Sequence, residues 1–201
     1  MQENKKILLA TSNQGKIKEF KKIFSNFHLI SQDELGITEP IEDGLTFIEN
    51  ALIKARNGAN KSGVYTIADD SGIVVPALDF APGIYSARYA GKNASDLDNR
   101  NKIISELKKH NLTSSHAYYV CVLVGVRSKD DPMPIVTSGE IHGDISIESS
   151  GEGGFGYDKI FYPSGYNFSM ATMDPEEKNK ISHRAIAANL FLKQLENLKS
   201  N

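Results

Sequence analysis

Two carboxylates, Asp69 and Asp70, follow the apolar run VYTIA at 64–68 and precede Ser71-Gly72. The run reads as a strand that stops at DDSG, and neighbouring strand residues point to opposite faces. One of the two acids is therefore expected to reach any given cleft. A carboxylate there could ligate Mg2+ or orient a water, because magnesium takes hard oxygen ligands and phosphate oxygens. D-S-G is also good turn chemistry, so an Asx turn explains the same letters. Glu42-Asp43-Gly44 could supply a second metal ligand, or could complement the positive end of the helix that follows it. Glu49 has a structural reading, since Thr46-Phe-Ile-Glu49 spells a capping box.

A second group of residues favours an anion. In TSNQGK, residues 11–16, a strand ends at Thr11 and Ser12 or Asn13 caps the next helix, leaving N–H groups free at its start. Gln14 and Gly15 open that helix. Lys16 sits in its first turn, where a cation opposes the helix dipole and an external anion would relieve the conflict. The bland alternative is a capped helix with a solvated lysine face. This is not a P-loop, because Gly15-Lys16 is followed by Ile17 and the position five before Gly15 is Ala10. Gly151-Glu-Gly153-Gly154-Phe-Gly156 matches a dinucleotide fingerprint by letters, but no helix opens at its third glycine.

Near the C-terminus Lys178, His183 and Arg184 gather three donors within seven residues. Arg184, in a helical first turn, again needs an acceptor. No histidine lies at metal spacing from His183, which argues against zinc. Phe155-Gly156-Tyr157-Asp158 offers two aromatics and an acid after a glycine-rich loop, and aromatics can stack on bases. A donor from His183 or Arg184 would suit the C6 acceptor of a 6-oxopurine and leave adenine mispaired.

The elements that must hold these groups alternate irregularly. Strands are expected at 5–11, 27–31, 64–68, 115–127 and 134–147, with a short one at KIFYP, and SKDDP joins the long pair as a hairpin. Helices are expected over 14–25, with Ile17, Phe20, Ile23 and Phe24 inward, and over 45–62, with Leu45, Ile48, Leu52, Ala55 and Ala59 inward. Ser95 or Asp96 opens a polar helix to 110. Asp174-Pro175-Glu176-Glu177 reads as cap, first-turn proline and capping-box acid. Ser182 can cap a last helix that buries Ala187, Leu190, Phe191, Leu195 and Leu198. This order predicts a mixed α/β class in one domain spanning 1–201, not a purely alternating βαβ fold.

The bulk properties bound the function. A net charge of −2 and a pI near 6.2 give no footprint for a nucleic acid polymer. The longest apolar run, YYVCVLVGV, is too short for a membrane span, and the N-terminal run is too short for a signal peptide. Cys121 is the single cysteine and, among apolar neighbours, a buried packing residue that suits a reducing cytoplasm.

Taken in order, TSNQGK, TFIENA, ADDSG, APGIYSARYAG, GGFGYDKIFYP and EEKNKISHRAIA resemble the inosine triphosphate pyrophosphatase family of the bacterial RdgB type. The resemblance covers residues 5–198. It implies an elongated two-lobed fold, with a long twisted mixed sheet flanked by helices and a substrate cleft between the lobes. It further implies Mg2+-dependent cleavage of ITP, dITP and XTP to monophosphate and pyrophosphate, in the cytoplasm and as a homodimer. By motif, Thr11, Ser12, Asn13, Gln14, Gly15 and Lys16 hold the phosphates, Asp70 acts as base and metal ligand, and Ser71 lies on substrate. Glu42 matches the second metal position. Phe155, Gly156, Tyr157, Asp158, Lys178, His183 and Arg184 line the nucleotide pocket. Where the family reads FGYDP this chain has Lys159, losing a fixed φ at the strand start. The rival readings are a Maf-type pyrophosphatase acting on dTTP, UTP or modified nucleotides, and a nucleotide-binding sensor without catalysis.

Overall fold

The computed structural model describes residues 6–197. Lys5 and Leu198, which the sequence places in the first strand and the last helix, lie outside the described residues. Six strands form one sheet: β1 (Lys6–Leu9), β2 (His28–Ser31), β3 (Thr66–Val74), β4 (Ser114–Val126), β5 (Ile135–Ser146) and β6 (Phe161–Pro163), in the order β2-β1-β3-β4-β5-β6. β1 runs parallel to β2, with Leu8 opposite Ile30, and parallel to β3, with Leu8 opposite Thr66. β5 and β6 are antiparallel, with Asp144 opposite Tyr162. The helices are α1 (Gln14–Ile23), α2 (Phe47–Ser62), α3 (Asp96–Lys109), α4 (Pro175–Ile181) and α5 (His183–Asn197). The class is mixed α/β, as the order of patterns predicts.

The chain divides into two compact units. The first is drawn from Met1–Asp70, Cys121–Gly139 and Arg184–Asn201, and the second from Ser71–Val120 and Glu140–His183. In the first unit Ile17, Phe20 and Phe24 from α1 and its cap pack with Leu9, Leu123 and Phe191. In the second, Ile103 and Leu107 of α3 pack with Tyr119, Ile145, Ile160 and Phe161. Each core forms where an apolar helical stripe meets the inward face of strands, the arrangement that removes the most apolar surface from water.

Local chemistry sets most element boundaries. Thr46 caps α2, and Glu49 reaches back to the Thr46 N–H in a full capping box. Ser95 and Asp98 form a second box at α3. Asp174 caps α4 by accepting from Glu176 N–H, while Glu177, expected as its box acid, instead accepts from the Tyr166 hydroxyl. Ser182 lies between α4 and α5, and its N–H donates to the Lys178 carbonyl. At the β4–β5 connection, Asp131 is buried and accepts from Arg127 and from the Met133 N–H.

Three expectations need correction. β3 does not stop at DDSG but continues through it to Val74, so both carboxylates sit within a strand. The buried face of α2 is Ala51, Ala55, Gly58 and Ala59, whereas Leu45 is 82% and Ile48 51% exposed. Small residues win this face because α2 lies close on β1 and β3: a Cβ at Gly58 would meet the Thr66 methyl at 2.8 Å and Leu8 Cδ2 at 2.9 Å. In α5, Ala187, Phe191 and Leu195 are buried but Leu190 is 42% exposed.

Gly125 of β4 has a similar role beneath α5, where an added Cβ would collide with the Phe191 ring. Gly125→Ala should therefore destabilise the protein by about 1–3 kcal/mol through overpacking, seen as a lower urea midpoint. An unchanged midpoint would mean that Phe191 is not seated against that backbone.

Candidate functional site

The first unit gathers its charges around Asp69 and Asp70. Asn13 is the cap of α1, accepting from the Lys16 N–H at 3.0 Å. Ser12, the other candidate, is engaged elsewhere: its hydroxyl donates to Asp33 at 2.7 Å and accepts from Gln32 at 2.8 Å. Thr11 is buried and its hydroxyl accepts from the Asn13 N–H. Gln14 and Gly15 form the first turn, Gln14 donating to the Ser12 carbonyl at 3.4 Å. Lys16, carried one turn inward, places its ammonium 2.7 Å from Asp69 Oδ2. The anion its position calls for is thus an internal carboxylate.

Strand alternation sends the next acid to other partners. Asp70 Oδ1 lies 3.5 Å from Lys54 Nζ, and Glu42 Oε1 lies 3.1 Å from the same nitrogen. Lys54 projects from the small face of α2 and is almost fully buried. Arg184 finds its acceptor in Glu19 of α1 at 3.1 Å. Burial acts to raise the pKa of Asp69, but Lys16, then Lys54 and Arg184, outweigh it and hold the carboxyl below its usual range. Burial also drives Asp70, and there it prevails. Lys54 and Lys16 oppose the rise, Glu42 and Asp69 add to it, and the pKa lies above the ordinary carboxylate value. Burial would lower Lys54, yet the acids around it keep its pKa raised. Glu42, Asp69 and Asp70 thus share two ammonium groups, Lys16 and Lys54. The buried Cys121 thiol is pushed far up, by burial first and then Asp69, and is chemically quiet.

The second unit builds a different group. Asp158 Oδ2 accepts from Lys178 Nζ at 2.8 Å and from the Phe155 N–H at 3.0 Å, and its Oδ1 accepts from the Tyr119 hydroxyl at 3.3 Å. The Lys178 ammonium stands 4.9 Å from the centre of the Phe155 ring, a cation–π distance. The Tyr119 and His183 rings are parallel, 4.7 Å apart. α3 grips the loop, Gly156 N–H donating to Asp96 and Arg100 donating to the Gly156 carbonyl, both at 2.7 Å. Tyr157 is 4% exposed and donates to the Ser86 carbonyl, so its side chain belongs to the core. Ser71 is the first residue of this unit and lies within β3, half-buried. Lys159 extends outward to Glu152 at 3.2 Å.

Several participants escaped the sequence reading. Lys54 was legible in principle, as a lysine at the spacing of the Ala51–Ala55–Ala59 stripe. Glu19 lies one turn beyond Lys16 on α1. Tyr119, Asp96 and Arg100 carry no pattern until the chain is folded. Among the described residues no three His, Cys, Asp or Glu side chains form a metal-holding group, and no helix is long and apolar enough to cross a membrane.

The Ham1 family model matches residues 7–194. This chain belongs to the Ham1 family. Among its relatives, a Haemophilus influenzae protein named dITP/XTP pyrophosphatase is 47% identical over 192 residues, covering 94% of this chain and 98% of that one. A protein of the same name from Acinetobacter baylyi is 47% identical over 195 residues, covering 94% and 93%. The solved structure of a HAM1 protein from Coxiella burnetii superposes with a TM-score of 0.89 at 38% identity, covering 96% of this chain and 99% of that one. The Staphylococcus aureus Ham1 protein gives 0.84 at 41%, with the same coverage. The motif resemblance and the Ham1 match agree over nearly the whole chain.

The two acids of this Ham1 chain should respond oppositely to neutralisation. Asp69, its pKa depressed on folding, contributes stability that is present above the unfolded value of about 3.9 and lost as pH falls through the folded value. Asp69→Asn should therefore lower stability at pH 7 by on the order of 3 kcal/mol, with the deficit shrinking in acid. Asp70, its pKa raised, opposes folding at pH values above the unfolded one. Asp70→Asn should raise the melting temperature at pH 7 without metal, and the gain should vanish below about pH 4. Thermal melts across pH decide this, and a destabilised Asp70→Asn protein at pH 7 contradicts the assignment.

Proposed function

We propose that this protein hydrolyses dITP, XTP and ITP to the nucleoside monophosphate and pyrophosphate. The relatives' shared name supports this substrate class. The observation that carries the chemistry is the pair of adjacent buried acids with opposite pKa shifts, set between two lysines.

Asp70, whose surroundings favour its protonated form, is suited to take a proton from water. The water oxygen forms a bond to the α-phosphorus as the bond to the bridging oxygen of pyrophosphate breaks, and the proton passes to Asp70. In this reading Lys16 and Lys54 meet the charge growing on the leaving group, the electrostatic task that dominates phosphoryl transfer. Asp69 holds the Lys16 ammonium in place at 2.7 Å.

The residues present also fit Mg2+. Glu42 and Asp70 converge on the Lys54 ammonium, which brings two carboxylates together. Magnesium is commonly held by one or two carboxylates together with substrate phosphates. It would supply neutralisation of phosphate oxygens. In the second unit, Lys178 stands over the Phe155 ring and His183 stacks on Tyr119; as hydrogen-bond donors the two would suit a 6-oxopurine. A cytoplasmic, homodimeric enzyme completes the proposal. It is supported by the family resemblance and by a lone buried thiol that forms no disulfide, and sedimentation velocity tests the dimer.

With Mg2+ present, dITP and XTP should yield pyrophosphate, and ATP and dTTP little. Release of orthophosphate, or a preference for dTTP, overturns the reading. Asp70→Asn should lower kcat by about 10²–10⁴-fold while nucleotide affinity changes little, and a near-normal rate removes Asp70 from the role of base. Chelation of divalent ions should abolish turnover and added Mg2+ restore it.

A further inference from the structure

Tyr119 is the residue through which the polar groups of the second unit are joined. Its ring lies parallel to the His183 imidazole, with centroids 4.7 Å apart and planes 5° from parallel. The Phe161 ring also meets it, edge-on, with centroids 4.8 Å apart. Its hydroxyl donates to Asp158, the acid that also holds Lys178 and the Phe155 N–H. One phenol therefore touches both the face of the histidine and the anchor of the lysine.

A core filler at this position needs no acceptor, and a tyrosine kept only for its hydroxyl needs no parallel stack. Here both are present on one buried side chain. The stack matters because an imidazole makes hydrogen bonds only in its own plane, and such bonds weaken steeply when misaligned. A base is read along its edge, so the tilt of the histidine decides whether that edge is met. We infer that Tyr119 is a positioning residue: it fixes the plane of the His183 imidazole, ties it to the Asp158–Lys178 pair, and so sets the preference for 6-oxopurine over 6-aminopurine nucleotides. The inference rests on the function proposed above.

Two variants separate ring from hydroxyl. Tyr119→Phe keeps the stack and should raise KM for dITP about threefold while leaving the dITP/dATP ratio of kcat/KM within about threefold of wild type. Tyr119→Leu loses the stack and should lower that ratio by about 10–100-fold, chiefly through KM for dITP and with kcat little changed. The inference is overturned if Tyr119→Leu keeps the ratio, if it impairs both nucleotides equally, or if Tyr119→Phe loses as much discrimination as Tyr119→Leu. If the wild-type protein releases no pyrophosphate from dITP, the proposed function fails by itself. The positioning of His183 is then decided by its imidazole carbon-bound proton resonances. Loss of their nuclear Overhauser contacts to neighbours other than residue 119 in Tyr119→Leu, with retention in Tyr119→Phe, supports it, and unchanged contacts in Tyr119→Leu refute it.

Discussion

The ion pair between Lys16 and Asp69 is the constraint around which the first unit is arranged. Asp69 has no exposed surface, and a buried carboxylate without a partner would be untenable in the middle of a strand. Its partner comes from 53 positions earlier, at the start of a different element. The pairing therefore requires α1 to begin where it does, which the Asn13 cap ensures. It also requires α2 to lie close to β1 and β3, because Lys54 adds a second positive charge to the same carboxylates from that helix. The small face of α2 follows from this demand. Larger side chains would hold the helix away from the strands and draw Lys54 back from Asp70.

The same pairing explains why the sequence misleads at DDSG. Two acids, a serine and a glycine form a turn whenever the acids must stay in water, and that is the reading local chemistry supports. Lysines distant in sequence neutralise the acids, and with their charges met the strand can continue through them. Local rules did find what is locally determined: the caps at Thr46 and Asp174, the candidate pairs that contain the caps Asn13 and Ser95, the buried Ile17 and Phe20, and the class of the fold. They could not find Glu19 or Tyr119 in their roles, since each acquires meaning only from a partner far along the chain, and Lys54 is marked only by its place on the small-residue stripe. The α2 stripe failed for a related reason. Leu45 and Ile48 have the right period, but the adjoining strands leave room only for alanine and glycine.

In the second unit the balance between local and distant control is reversed. The FGYD loop closes on itself, with Asp158 accepting from the Phe155 N–H across a single turn. Gly154 and Gly156 have φ of 72° and 60°, and a Cβ at Gly154 would strike the Asp158 carboxylate. A loop so tightly made was legible as a unit. Its orientation was not, because Asp96 and Arg100 grip Gly156 from α3. Lys159 loses the fixed φ of the family's proline, yet the turn retains these bonds from both sides. Its outward pair with Glu152, whose side chain is almost fully exposed, contributes little.

Adjacent positions on one strand bury both Asp69 and Asp70 but give them different company. Asp69 meets an ammonium at 2.7 Å, and its charge is secured. Asp70 shares Lys54 with Glu42 at longer range and is left with a raised pKa. A fold selected for stability alone would have no use for the second arrangement, since a neutral side chain at that position would relieve the crowding. The strain is confined to one residue, while its neighbour supplies the pairing that keeps the surrounding structure intact. Strand alternation makes this possible at no cost in chain length: of two successive carboxylates, one lies closest to Lys16 and the other to Lys54.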